Sequence, residues 1–280
     1  MKIDTKFLIT IIITINYSCS TSKMNLDFSN EIISKENTIH IKGTRGKGLV
    51  GSTRNLEFDK YYNGKLKEGW TKTSDIVDKF PYGFFSKETF ERSLYKNLGL
   101  DINDITSKTS DKFQFTISDT SNTWVAFCSQ IYEGKSTNYD ILDKVNYSKG
   151  KSQKSDFNVQ FISITDKLQP NWKLELKFDR ETPDGAFQTF LNVGMAIETG
   201  QISNGIETIT IEPIFLRGKE IENNKYADII KIVGGYKFIY GNKPIAIVDK
   251  YKQTISLFEL NNPFNTIITA SATSILLRGR

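Results

Sequence analysis

The chain has 280 residues and a formal net charge of +5, and 38% of it is apolar, with 19 Phe, 12 Tyr and 3 Trp. It is long enough for one large domain or two small ones, and too rich in apolar and aromatic residues for a disordered chain. A charge of this size favours solubility and does not point to nucleic acid, while two cysteines and one histidine exclude a disulfide framework and a Cys/His zinc centre.

The first predicted element is a leader over residues 1–18. Lys2 and Lys6 give a charged head, Phe7–Ile15 an apolar run broken by Thr10 and Thr14, and Ser18 a small residue before Cys19. The run is short of the roughly 20 residues that cross a bilayer. With Ser18-Cys19 at its end, this segment resembles a bacterial lipoprotein precursor. The resemblance implies a diacylglycerol on the Cys19 sulfur, cleavage before Cys19, and acylation of the new amino terminus, with palmitate among the attached fatty acids. Ser20 in place of an aspartate implies outer-membrane sorting, and the absence of an acidic cluster after Cys19 implies the periplasmic side. Two or more acyl chains hold a protein stably at a membrane, where one is marginal.

Residues 19–37 are polar and mixed and read as a tether. A β-rich part with one helix is expected over 38–145. It begins with a strand at Thr38–Lys42, a glycine-rich loop at Gly43–Ser52, and a strand at Arg54–Asn63 turning at Asn63-Gly64. Ser86–Leu98 has a capping serine, a Phe90/Leu94/Leu98 stripe and Gly99 to stop it, which predicts a helix. Lys112–Ile117 and Thr123–Tyr132 alternate and predict a hairpin about Ser118–Asn122. Asn146–Ser155 has no apolar period and is expected to be a boundary or a long exposed loop.

A second β-hairpin part is expected over 156–280, either separate from 38–145 or continuous with it. Its strands are predicted at Phe157–Ile164, Trp172–Phe178, Ala186–Ala196 and Ile206–Phe215, with turns at Pro183-Asp184-Gly185 and Asn204-Gly205. A short helix is predicted over Tyr226–Val233, then strands at Tyr236–Tyr240, Ile245–Asp249 and Thr254–Glu259. Asn262-Pro263 suits the start of a final amphipathic helix carrying Phe264, Ile267, Ile268, Ser271 and Ile275. Hairpins with a few helices and no strand–helix alternation predict an α+β fold with antiparallel sheets.

No segment carries a recognisable catalytic or metal pattern. The glycine-rich loop with Arg45 and Lys47 lacks P-loop spacing and reads as a hairpin connection, an anion-binding nest being the alternative. Asp179, Glu181 and Asp184 suit a tight turn better than a calcium loop, and Asp101, Asn103 and Asp104 are alike. Glu198, Glu207 and Glu212 flank a predicted hairpin whose polar face water would cover. His40 reads as an exposed strand position and Cys128 as a small buried residue. Of the three tryptophans, Trp172 and Trp124 fall on strand faces suited to a core, and Trp70, flanked by polar residues, is the candidate ligand contact. The basic run Lys144–Lys154 reads as a solvated loop. No catalytic residue, metal ligand or cofactor is assigned.

The sequence therefore predicts a non-enzymatic lipoprotein, membrane-bound through lipid on Cys19, whose body binds an envelope protein or glycan. Two alternatives are a carboxylate-dependent hydrolase of an envelope glycan or ester, and an immunity-type lipoprotein that blocks a partner.

Overall fold

Alternation of apolar and polar residues sets most of the strands. In Lys112–Ile117 the side chains of Phe113, Phe115 and Ile117 are buried, and in Trp172–Phe178 those of Trp172, Leu174 and Leu176 are buried while Lys173 and Lys177 stand in solvent. The computed structural model describes residues 25–26, 37–78, 100–141, 145–181, 198–217 and 233–278. Within them run β1 (Asn25–Leu26), β2 (Thr38–Lys42), β3 (Thr53–Phe58), β4 (Asn63–Lys67), β5 (Thr71–Asp78), β6 (Leu100–Ser118) and β7 (Thr123–Ile141). They continue with β8 (Val145–Ser163), β9 (Trp172–Glu181), β10 (Thr199–Ser203), β11 (Thr208–Arg217), β12 (Val233–Tyr240), β13 (Lys243–Asp249) and β14 (Thr254–Leu257), and then helix α1 (Asn265–Leu277).

Twelve of these strands close into an antiparallel barrel. The order runs β2, β3, β4, β6, β7, β8, β9, β10, β11, β12, β13, β14, and β14 pairs back onto β2 through Ile255 and Ile39. The expected α+β fold is thus corrected: the described residues form a β-barrel of twelve antiparallel strands with one short helix. The turns at Ser118–Asn122 and Asn204-Gly205 are where the sequence put them, but so many strands with one apolar face bury those faces by curling round on themselves, which also removes the sheet edges.

Helix α1 fills the barrel. It contacts β7 and β8 on one side and β14 on another, every residue of it except Thr266 is buried, and it shares one core with Phe115, Phe161, Leu176, Phe238 and Ile255. It is therefore not the amphipathic surface helix that the sequence suggested. Its hydroxyls form no polar face, because Thr269 donates to the Asn265 carbonyl at 2.7 Å, Thr273 to Thr269 at 2.7 Å and Ser274 to Ser271 at 2.6 Å. Turned back onto the helix's own carbonyls, they let it sit among apolar neighbours. The helix begins two residues after Pro263, and the Asn262 side chain accepts the Phe264 N–H at 2.9 Å just ahead of it.

Among the described residues the barrel interior is apolar, and Lys65, Lys67, Lys154, Asp156, Lys173, Lys177 and Glu212 stand exposed on outward strand faces, as do Phe127 and Ile131 of β7. These charged positions interrupt the apolar band that a membrane-spanning barrel presents outward. Among the described residues no helix is long and apolar enough to cross a membrane.

Strands β6, β7 and β8 are 19 residues each and run on past the barrel, with β5 paired along β6 from Asp104 to Asp111. Asn146–Ser155, expected as a loop, is part of β8 and pairs with β7 throughout. Its Ser/Lys/Gln composition hid it, because no apolar residues alternate with the polar ones to mark a strand period. Asp101–Asp104 likewise lie in β6, not in a loop. The turn expected at Asn63-Gly64 falls one step earlier, at residues 59–62, with Tyr61 left-handed at φ 61°. Gly64 is inside β4, where a Cβ would stand 2.6 Å from the Thr116 carbonyl oxygen. The residues of the predicted helix Ser86–Leu98, the strand Ala186–Ala196 and all but the last residue of Tyr226–Val233 lie outside the described residues, as does Cys19.

Candidate binding site

The two ends of the barrel differ. The β3–β4, β6–β7, β8–β9, β10–β11 and β12–β13 turns all meet at the end where α1 starts. Several are fixed by side chains that fold back on the backbone. Asp119 accepts from the Ser121 and Asn122 amides, both at 2.7 Å. Asp166 accepts from the Leu168 amide at 2.9 Å, and Asn204 from those of Ile206 and Glu207 at 2.9 and 2.7 Å.

These fixed turns hold large apolar side chains out in water. Leu168 is 95% exposed and Ile206 86%, and Ile164, Leu260 and Tyr61 are also exposed. Single exposed apolar residues are ordinary, but several at the tips of converging turns mark an interaction surface. Between the turns opens a cavity of about 210 Å³ lined by Trp124, Pro170, Trp172, Pro263, Phe264 and Ile267, with Asn122, Gln169, Asn204 and Thr266 as its polar groups. Phe264 is braced on both sides, by Trp172 edge-on at 5.8 Å and by Tyr240 at 4.9 Å. Tyr240 donates to Glu207 at 2.5 Å, and that bond to a carboxylate, ahead of a small effect of burial, raises the phenol above its ordinary range. The arrangement suits an apolar or amphipathic group that can also take amide hydrogen bonds; it offers no nucleophile or acid–base pair.

The other candidates are spread over the molecule. Trp70 is 44% exposed between β4 and β5, with the Lys112 ammonium 5.3 Å over its ring. It is away from the cavity, near the opposite end. Glu198, Glu207 and Glu212 do not face one another. Glu198 is buried, accepting from the Tyr236 hydroxyl and paired with Arg278 at 2.5 Å. Glu207 sits on the turn beside Tyr240, and Glu212 faces Lys237 on the outer wall at 3.7 Å. Tyr236, buried beside that carboxylate, is held well above the phenol range, burial first and Glu198's charge second.

Asp179 pairs with Lys154 at 3.0 Å and, with Glu181, belongs to β9 and not to a turn; Asp184 lies outside the described residues. Asp104 accepts from Thr137 at 2.6 Å and Lys151 at 2.9 Å, tying three strands together. His40 is exposed on β2, and Cys128 is buried in the core. Among the described residues no group of three His, Cys, Asp or Glu side chains is placed to hold a metal ion.

The glycine-rich loop is a hairpin connection. Arg54 donates to the Arg45 and Gly46 carbonyls at 2.9 and 2.7 Å and pairs with the buried Glu68 at 3.2 Å. Lys47 bridges to Thr71 and Asp111 at 2.7 and 3.3 Å.

Sequence reasoning placed Trp124 and Trp172 in the core, where they are, but missed that both also line a cavity at its end. The usable signal was the set of isolated apolar residues beside turn formers, Asp166 with Leu168 and Asn204 with Ile206. No family model matches the chain, and no curated protein and no solved structure matches it.

Proposed function

We propose that this chain is a lipid-anchored, non-enzymatic binding module of the cell envelope. In this reading Cys19 carries the lipid at the periplasmic side of the outer membrane, and the turn-bearing end of the barrel docks on an envelope protein. The observation that carries the docking face is the set of apolar side chains held in water by fixed turns around an aromatic cavity. The cavity would take one apolar or aromatic side chain of the partner, with Asn122, Gln169 and Asn204 satisfying its neighbouring amides, the usual anatomy of an apolar anchor inside a polar rim. A partner-blocking role is the same chemistry with an inhibitory outcome. The separation of Glu198, Glu207 and Glu212 leaves nothing to favour the hydrolase.

The test is photo-crosslinking in cells with a reactive side chain placed at Leu168 or Ile206, and at Lys154 on the outer wall as control. A discrete adduct from the first two, absent from the third and lost when Ile206→Asp is added to the Leu168 probe or Leu168→Asp to the Ile206 probe, is the expected result. Equal labelling from all three positions, or adducts to glycan in place of protein, overturns the docking face as stated.

A further inference from the structure

The far end of the barrel, where α1 stops, holds a second cavity of about 210 Å³ with a different lining. Thr44, Arg45 and Gly46 of the glycine-rich loop close one side, Lys250 and Gln253 of the β13–β14 turn another, and Leu276 and Arg278 at the end of α1 the floor. Three cationic side chains thus border one small space. The loop is fixed around it, since Arg45 donates to the Tyr251 carbonyl at 2.9 Å, the Thr44 hydroxyl donates to Gln253, and Gln253 in turn donates to the Lys250 carbonyl at 2.6 Å.

Of the nearby acids among the described residues, Glu198 is engaged by Tyr236 and Arg278, and Asp249 by the Tyr251 and Lys252 amides and the Lys252 ammonium. Among the described residues no carboxylate pairs with Lys250, whose ammonium is mostly buried. Arg278 also has one terminal nitrogen, Nη1, buried without a hydrogen-bond acceptor. Burial first, then the charge of Arg278, lowers the Lys250 pKa from its ordinary value, with Glu198 opposing. The carbonyl end of α1 accounts for part of this positive charge. It does not account for the buried Arg278 Nη1 without an acceptor beside a mostly buried ammonium that no described carboxylate contacts, each of which carries a desolvation cost that an anion would reduce.

We propose that this cavity is an anion site for a phosphate monoester or inorganic phosphate, held by Arg45, Lys250 and Arg278. A tetrahedral dianion matches three cations less one carboxylate, and two guanidinium forks suit its oxygens. The proposal takes up the anion alternative for the glycine-rich loop, through side chains at its first turn and not through a cradle of backbone amides.

The experiment uses the full mature-length chain with Cys19→Ser, so that lipid does not obscure membrane binding. Thermal midpoint is followed against inorganic phosphate, with chloride at matched ionic strength as reference. Phosphate is expected to raise the midpoint in a saturable way, and Lys250→Met to weaken the apparent affinity by at least about tenfold without lowering the midpoint in chloride. Arg45→Gln, at an exposed position, gives the same loss of affinity if Lys250→Met does not fold.

Co-sedimentation with vesicles carrying phosphatidic acid, against vesicles of equal charge carrying only phosphodiester lipid, then identifies the source. Selective binding that inorganic phosphate displaces assigns a lipid headgroup, and a phosphate response without vesicle binding assigns the free ion; both support the site. No shift beyond that of chloride, or an unchanged phosphate response in both variants, overturns it.

Discussion

Asp119 joins the β6–β7 turn to the first turn of α1, since beyond its two backbone bonds its second oxygen accepts from Thr266 at 2.5 Å. Burial alone would raise its pKa, but the bonds from Thr266, Ser121 and Asn122 outweigh it and hold the carboxyl below its ordinary value of 3.8. A group depressed in the folded state contributes stability that is fully present above its unfolded pKa and is lost as the pH falls through the folded value. Asp119→Asn should therefore destabilise the protein by about 1–2 kcal/mol at pH 7, with the difference shrinking below about pH 4. Urea unfolding of both proteins from pH 7 to pH 2 measures this, and a difference constant over that range would show that the carboxylate charge plays no part. None of these contacts was legible beforehand. Asp119 was read as a turn residue, correctly, but its partner Thr266 lies 147 positions away, and one sequence does not show pairings across such a distance.

At the scale of elements, legibility followed exposure to water. Lys112–Ile117 and Trp172–Phe178 were readable because one face is buried and one wet. The polar stretch of β8 at Gly150–Lys154 was not, having no apolar residue to set a period, and α1 was misread because both of its faces are dry. In α1 Thr269, Thr273 and Ser274 bond within the helix, while Thr266 donates to Asp119. The helix thus yields a paired prediction. Ile268 is fully buried, so Ile268→Ala should cost about 2–5 kcal/mol by opening a cavity in the barrel. Ser271 is also fully buried, but its hydroxyl has no partner, so Ser271→Ala should be neutral or slightly stabilising. Chemical denaturation of the two variants beside the parent checks both, and a large loss from Ser271→Ala would mean that the hydroxyl is satisfied after all.

At the scale of the molecule, what a sequence does not carry is closure. The β2–β3, β6–β7 and β12–β13 neighbours follow from hairpins, but the pairs that complete the ring, β14 on β2 and β11 on β12, join strands far apart in the chain or across a long connection. The charged outer wall bears on the proposed anchoring. Lys65, Lys173 and Glu212 on outward faces disfavour insertion of the described wall into a bilayer, and under the proposed anchoring membrane residence rests on lipid at Cys19. Cys19→Ser should then abolish fatty-acid labelling and move the protein from the membrane fraction to the soluble one. Persistence of the variant in washed membranes would mean that some other part of the chain holds it there.

The place of α1 in the chain order has a consequence for how the protein is made. The element that fills the barrel follows all of the strands that form the wall, so no partial chain can complete its core. A nascent polypeptide would carry a hollow, half-built ring, with inward faces such as Phe115, Phe161 and Phe238 unprotected until the helix arrives. Delay before that moment leaves the chain exposed to proteases and chaperones. The rate at which the last segment emerges, more than the intrinsic speed of hairpin formation, would then govern how much of the protein reaches its folded state.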